Sequence, residues 1–304
     1  MSAVAATSAR SIAWRRRRQS LAGAWRQYRA STPGMIGLVI LVGFVLLALA
    51  APLLADQSGL AAVNSTQNPV WANPADFGPL GTDHLGRSVW TQFVWGSRIS
   101  LLVGLAATVL AIVIGSLVGV TAGFFGGRPG GLLMRITEWF LVIPFLPLAL
   151  ALAAVLGPSV GNIILVIGIT SWPSTARLIR AQVLTTKERL YVDRSRALGA
   201  TSRHLMGRHI LPSVAPLILA NLTLTVPVAI LSETTLSFLG LGDPSRPSWG
   251  KMLEDGFQAG ALSQHAWWYY IPPGLGVMLV VLAFVLCGHA LEEILDPRLR
   301  EQRS

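Results

Sequence analysis

Residues 191–212 read YVDRSRALGATSRHLMGRHILP, a basic stretch that stands between long uncharged apolar runs. Helical spacing places one set of side chains on a shared apolar stripe: Leu190, Tyr191, Ala197, Leu198 and Leu205. Four arginines occupy the other faces: Arg194, Arg196, Arg203 and Arg208. Gly199 interrupts the pattern, at a cost of about 1 kcal/mol relative to Ala inside a helix. The stretch therefore predicts two short helices that meet at a turn and can enter a groove on a partner.

The composition around this stretch is that of an integral membrane protein. Hydrophobic residues make up 52% of the 304 residues and charged residues 12%, with a mean hydropathy of +0.57. Soluble domains carry roughly a quarter of charged residues, so this chain has too few charges to cover a surface in water. We expect an all-α, polytopic membrane protein.

The uncharged runs predict the number of membrane crossings. They lie at residues 35–54, 99–127, 139–176, 210–232 and 271–288. Each is long enough to cross a hydrocarbon core about 30 Å thick as a helix. The run 139–176 is too long for one crossing, and Gly157, Pro158 and Asn162 divide it into two. The sequence therefore predicts six transmembrane helices.

The positions of the 24 Lys and Arg residues predict the orientation. Seven precede the first crossing, two lie between the second and third, eight between the fourth and fifth, and three follow the sixth, against four on the other side. The positive-inside rule then places both termini and the stretch 191–212 in the cytoplasm. The charge of +10 reflects this asymmetry and attraction to membrane lipid, and it requires no nucleic acid.

The predicted segments follow from these two patterns. They are a basic cytoplasmic N-terminal segment (1–34), a first transmembrane helix (35–55), an extracytoplasmic loop (56–98), a five-helix core (99–292) with a cytoplasmic loop (181–212) and an extracytoplasmic loop (243–270), and a cytoplasmic C-terminal tail (293–304). A short helix is expected near residues 251–261. Asp83, His84 and Arg87, in the turn-rich stretch LGTDHLGRSVW (80–90), are either ligand contacts or turn and cap residues.

Small and acidic residues mark the apolar runs. Gly115, Gly119 and Gly123 form a flat ridge that another helix can approach, either within the chain or on a second subunit. Glu233 is expected near the end of a span, either as an interfacial carboxylate or as a pathway or gate residue, with Ser237 beside it.

Catalytic motifs are missing from the sequence. A phosphate-binding loop requires Gly-Lys followed by Ser or Thr, but Lys187 follows Thr186 and Lys251 precedes Met252, and the five histidines show no metal-ligand spacing. Cys287 is the only cysteine, so no intrachain disulfide can form. We therefore expect no catalytic residues, no cofactor and no metal.

Several stretches together resemble one family. They are LGTDHLGRSVW (80–90), GSRISLLVG (96–104), RALGATSRHLMGRHILP (196–212), LSETTLSFLGLG (231–242), PSWGKML (247–253) and LDPRLR (295–300). Over residues 34–300 the chain resembles the inner-membrane permease subunit of ABC importers of the dipeptide, oligopeptide and nickel class. The resemblance implies the type I importer permease architecture, a homologous second permease, two cytosolic ABC ATPase subunits and an extracytoplasmic substrate-binding protein.

The resemblance also implies residue roles. The basic stretch becomes the loop that couples the permease to the ATPase through Tyr191, Asp193, Arg196, Ala197, Leu198, Gly199, Ala200 and Leu205. Binding-protein contacts are expected at Asp83, Arg87 and Trp249. The chain departs from the family pattern in two places: Asp193-Arg194-Ser195 replaces the usual Glu-Ala-Ala, and Ser88 stands where Asp is common.

Two other classes of protein share this composition. A secondary transporter or channel would work without ATP, but it would carry intramembrane charges or a repeated pair of broken helices. A scaffold protein would use the glycine ridge for packing alone. Peptide is the expected substrate of an importer, with a nickel chelate, glutathione or another small solute left open.

Overall fold

The computed structural model describes residues 22–295. Residues 1–21 of the predicted N-terminal segment and residues 296–304 of the predicted C-terminal tail lie outside the described residues. The described chain is helical and contains no strand, apart from one isolated bridge between Thr82 and Ser88. Its main helices are α1 (Thr32–Leu49), α2 (Val89–Phe125), α3 (Gly127–Val142), α4 (Phe145–Leu156), α5 (Val160–Lys187), α6 (Leu190–Ala197), α7 (Leu211–Leu236), α8 (Trp249–Gln258) and α9 (Trp267–Leu295). Five of the helices in residues 22–295 are long and apolar enough to span a membrane, and the bent pair α3–α4 is a sixth candidate.

α2 is longer than the sequence indicates. It begins at Val89, inside the stretch predicted as loop, because the Ser88 hydroxyl accepts a hydrogen bond from the Thr91 amide and caps the helix. Its 37 residues reach about 55 Å, well beyond a hydrocarbon core about 30 Å thick. Ser and Asp cap helices about equally well, so Ser88 can fill the place at which the family commonly has Asp.

The third crossing is broken into two helices. α3 and α4 meet at an angle of 91°. Pro144 stands at the bend, and Ile143 before it is extended, as a residue preceding proline prefers. The turn predicted at Gly157 is present: Gly157 has φ +83°, and the Asn162 side chain donates to its carbonyl oxygen at 3.0 Å.

The glycine ridge of α2 packs within the chain. A Cβ atom on Gly115 would lie 2.7 Å from the Trp172 carbonyl oxygen, and one on Gly119 would lie 2.6 Å from that of Ala176. Gly123 faces the Val183 side chain in the same way. α2 and α5 are therefore in direct backbone contact, which assigns the ridge to intrachain packing.

Candidate functional site

The basic segment, residues 190–210, consists of two short helices, as predicted. α6 ends at Ala197, and Gly199 follows with φ +85°, in the left-handed region that glycine adopts without strain. The Gly199 amide donates to the Arg196 carbonyl at 3.0 Å, and the Ala200 amide donates to that of Ser195 at 3.1 Å. This pair of bonds is a Schellman motif, which ends one helix and aims the chain into the next.

The second helix continues into a membrane span. Thr201 caps Ser202–Leu205 by accepting a hydrogen bond from the His204 amide. The wider helical turn Met206–Ile210 then leads directly into α7. The turn at Gly199 is therefore connected to a transmembrane helix without an intervening loop.

Buried side chains fix the basic segment to the helix bundle. Val192, Leu205 and Ile210 are buried, and Ile210 packs with Val120 of α2 and Ile179 of α5. The predicted single stripe is wrong in this respect, because Leu205 points inward while Leu190 and Leu198 point outward. The stripe divides into one set that anchors the segment and one set that remains free.

The outward set forms an apolar surface with basic surroundings. Leu198 is 89% exposed and Leu190 76% exposed, and Tyr191 is also exposed. The four arginines at 194, 196, 203 and 208 are exposed around them. Asp193 and Arg196 form a surface ion pair at 3.0 Å, which contributes at most about 1 kcal/mol.

Ser195 and His209 connect the two halves of the basic segment. His209 Nε2 lies 3.3 Å from Ser195 Oγ, and its ring packs against Tyr191 with centroids 5.7 Å apart. Ser195 is one of the residues that depart from the family pattern, and this contact gives it a local structural role.

A cleft of about 400 Å³ lies at the bend between α3 and α4. Apolar residues of the bend, including Phe140 and Pro144, form one wall. Polar side chains of α5 and α7 line the other: Thr170, Ser171, Ser174, Asn221 and Thr225. The described residues that line the cleft include no charged side chain. No sequence pattern predicted this group of residues; Asn221, a polar residue inside an apolar run, was the available signal.

A second polar region, here called the polar cap, comprises residues 65–88, the first turns of α2, and α8. Asp83 is fully buried at its centre. Its carboxylate accepts hydrogen bonds from the Leu85 amide (2.9 Å), the Arg87 amide (2.8 Å), Arg87 Nε (2.7 Å) and Gln92 Nε2 (2.9 Å). Burial acts to lower the pKa of Arg87, but the Asp83 carboxylate outweighs it and the pKa is raised.

α8 is attached to the polar cap by ion pairs and an aromatic anchor. Lys251 Nζ contacts Glu254, and it lies 2.9 Å from Asp255, which is also 3.6 Å from Arg87. Trp249 is fully buried, and its indole Nε1 donates to the Phe93 carbonyl at 3.1 Å. The short helix predicted near residues 251–261 is thus present, shifted by two to three residues.

These positions bear on the three predicted binding-protein contacts. The side chains of Asp83 and Trp249 are buried in this arrangement and present no surface to a partner. Arg87 is 18% exposed and remains the one of the three with a reachable side chain. Contact with a binding protein stays a prediction, in which Asp83 and Trp249 would act by shaping the surface around Arg87.

Replacing Asp83 by Asn is expected to lower the free energy of unfolding by about 2–3 kcal/mol, because charge-assisted bonds are lost and the Arg87 guanidinium keeps only its 3.6 Å contact with Asp255. Thermal denaturation of the detergent-solubilised protein measures this. Asp76→Asn is the matched control, since Asp76 is exposed. Equal melting temperatures for the two variants would contradict the assigned role.

Glu233 and Ser237 lie deeper than predicted. Glu233 is 1% exposed, so the interpretation as a water-accessible interfacial carboxylate is wrong. Ser237 is also buried, and its hydroxyl donates to the Glu233 carboxylate at 2.8 Å. Neither side chain lines the cleft at the α3–α4 bend. A role of this pair in a pathway or gate stays a prediction.

Comparison with known proteins assigns the family. The family described as binding-protein-dependent transport system inner membrane component matches residues 111–301, and the N-terminal TM domain of oligopeptide transport permease C matches residues 20–72. The chain belongs to the first of these families. This permease is 38% identical over 278 residues to a dipeptide transport system permease protein of Bacillus subtilis, covering 91% of this chain and 85% of that protein.

Two further likenesses concern a relative and a fold. A di/tripeptide transport system permease protein of Pseudomonas aeruginosa is 38% identical over 281 residues, covering 91% of each chain. The inward-facing MetNI methionine ABC transporter shares the permease fold with a TM-score of 0.51 and 22% identity, over 67% of this chain and 96% of that chain. The fold prediction is confirmed.

Family membership settles the general role of the chain. The permease is a multi-pass membrane subunit of an ABC importer, and the family works with ATPase and substrate-binding partners. Hydrolysis of ATP belongs to the separate ATPase subunits, so the permease is not an enzyme. An ATP-independent transporter or channel is not favoured.

Proposed function

We propose that this permease carries di- or oligopeptides across a bacterial cytoplasmic membrane. The observation that carries the proposal is the set of relatives at 36–38% identity over about nine tenths of the chain, which are named for dipeptide or oligopeptide transport. The cleft at the α3–α4 bend suits this substrate class, because its hydroxyl and amide groups can exchange hydrogen bonds with a peptide backbone.

The described cleft walls carry no charge, which favours passage of a peptide through the cleft over tight binding of the peptide there. A peptide carries a charge at each terminus, and a fixed countercharge in a low-dielectric cleft would hold it strongly. Weak, uncharged contacts let peptides of different side chains enter and leave. Selectivity then resides in the extracytoplasmic binding protein.

The proposed assembly contains a second homologous permease, two cytosolic ATPase subunits and one binding protein. The charge asymmetry of the sequence supports an orientation with both termini and the basic segment in the cytoplasm. The polar cap then faces the extracytoplasmic side, where the binding protein delivers substrate. The cleft would form half of a pathway that the second permease completes.

In this mechanism the basic segment sits in a groove of an ATPase subunit. Leu190 and Leu198 supply apolar contacts, and the surrounding arginines set the orientation. Closure of the ATPase pair would displace the turn at Gly199, and α7 would move with it because the two are continuous. The cleft lies partly on α7, so its access would change in the same step.

Reconstitution in liposomes tests the proposed function. We expect uptake of labelled dipeptides to require the ATPase subunits, the binding protein and ATP. Uptake that survives ATP depletion while an ion gradient is maintained would contradict it. Parallel assays with a nickel chelate and with glutathione test the substrate class, and transport of either without peptide transport would overturn the peptide assignment.

A Ser174→Cys variant tests the pathway on its own. With Cys287 replaced by Ala, this variant carries a single thiol in the cleft, and we expect a small thiol reagent to modify it more slowly during peptide transport. Ser97→Cys is the matched control, because Ser97 is fully buried in α2 and should not react. Modification that proceeds at the same rate with and without transported peptide would exclude Ser174 from the pathway.

A further inference from the structure

Glu233 is a buried acid that the transport mechanism described above leaves without a role. Ser237 Oγ, in the helical turn that follows α7, donates to its Oε1 at 2.8 Å, and Ser100 Oγ of α2 donates to its Oε2 at 3.1 Å. A carboxylate buried among apolar helices is costly unless such donors satisfy it. Its presence therefore fixes α7 and α2 to each other at one defined level.

The hydrogen bonds continue from Glu233 into the polar cap. Ser100 Oγ accepts a hydrogen bond from the amide of Trp249, the first residue of α8, at 3.1 Å. Close packing supports the same contact, because a Cβ on Gly250 would lie 2.8 Å from the Cα of Thr234. One carboxylate and one serine thus join three helices: α2, α7 and α8.

α7 extends this junction to the far side of the molecule. The chain is helical from Ser202 through Leu236, a length of about 50 Å, with the basic segment at one end and Glu233 near the other. α8 touches α7 at the Glu233 end. A displacement of the α7 axis would therefore be felt at both the basic segment and α8. The geometry provides a mechanical link between the basic segment and the polar cap.

We propose that Glu233 is a positioning residue that transmits displacement of the basic segment to the polar cap. The proposal rests on the proposed function, in which the ATPase binds one region and the binding protein meets the other. Glu233 would keep substrate delivery and ATP hydrolysis in step by holding the amide end of α8 against α2 and α7. It touches neither ATP nor substrate.

Two substitutions at Glu233 separate hydrogen bonding from shape. Alanine removes both acceptor oxygens, so Ser100 and Ser237 lose their common partner. Glutamine keeps the size and one acceptor oxygen, but it loses the charge that makes such bonds about twice as strong as neutral ones. A graded response, with alanine more severe than glutamine, is the signature of a positioning role.

The experiment uses the complete complex in liposomes and measures peptide transported per ATP hydrolysed, with and without binding protein. For Glu233→Ala we expect this ratio to fall about tenfold, within the range of coupling between distant sites, while the complex still assembles. For Glu233→Gln the ratio of peptide transported to ATP hydrolysed should fall less. Ser232→Ala is the control and should keep the wild-type ratio, because the Ser232 hydroxyl donates back to the Val228 carbonyl of its own helix and takes no part in the Glu233 network.

Ser100→Ala gives a second, independent test. It removes the α2 side of the junction without changing α7, and the fall in ratio should not add to that of Glu233→Ala, since both break one network. If Glu233→Ala fails to assemble, this variant decides the question. A wild-type ratio in either assembled variant would overturn the proposal. Failure of the proposed function would appear instead in the unmodified complex, as hydrolysis without peptide uptake.

Discussion

Gly199→Val is expected to abolish ATP-driven uptake while leaving insertion into the membrane intact. Gly199 has φ +85°, and a left-handed conformation costs an L-residue about 1–2 kcal/mol, with a β-branched side chain among the least tolerant. Relief of that strain would break the two hydrogen bonds that end α6 and would redirect Leu198. The docked complex would still require the left-handed conformation at this position. The free energy of ATPase binding would therefore lose the same amount, about 1–2 kcal/mol, which weakens binding by about 5- to 30-fold.

Two further glycine substitutions show that the backbone conformation is responsible. No described atom lies within 4 Å of a Cβ built on Gly199, so any defect of Gly199→Ala reflects strain and not a clash within the permease. Gly131→Ala is the matched control, because its surroundings are equally open and its φ is not positive. Co-purification with the ATPase measures docking. Equal docking for the two alanine variants would refute the strain argument.

Leu198→Asp is expected to weaken ATPase binding by more than about tenfold. Leu198 is 89% exposed in the permease alone, so the substitution should not affect folding. Burial of a leucine in a partner groove contributes about 1.5–3 kcal/mol, and aspartate loses that contribution and must be desolvated. Titration of the detergent-solubilised permease with purified ATPase measures the dissociation constant.

Leu198→Met is the matched control for this prediction. Methionine keeps the apolar contact and a similar volume, so binding should stay within about threefold of wild type. An aspartate variant that binds as tightly as the methionine variant would show that Leu198 lies outside the interface.

Local patterns were sufficient to predict much of the architecture. The apolar runs marked the crossings, and Gly199 marked the turn of the basic segment, because span length and glycine conformation depend on short-range features. The start of α2 was misplaced by ten residues, because the uncharged run was counted only from Ile99, after Arg98. The Ser88 cap and the buried contacts of the polar cap determine that start.

Long-range contacts explain what the sequence could not reveal. Ser100 is 133 residues from Glu233, so nothing in the local pattern indicates that the carboxylate has a buried partner. The opposite directions of Leu198 and Leu205 likewise depend on packing between helices. The cleft on α5 and α7 appears only when both helices are placed side by side.

Cross-linking through position 198 tests the docking of the basic segment most directly. In a protein with Cys287 replaced by Ala, Leu198→Cys carries one thiol on the turn. We expect it to cross-link to an ATPase subunit, and to react with a membrane-impermeant reagent in inside-out vesicles but not in intact cells. A thiol that is labelled from outside intact cells, or that never cross-links to the ATPase in an active complex, would contradict the account.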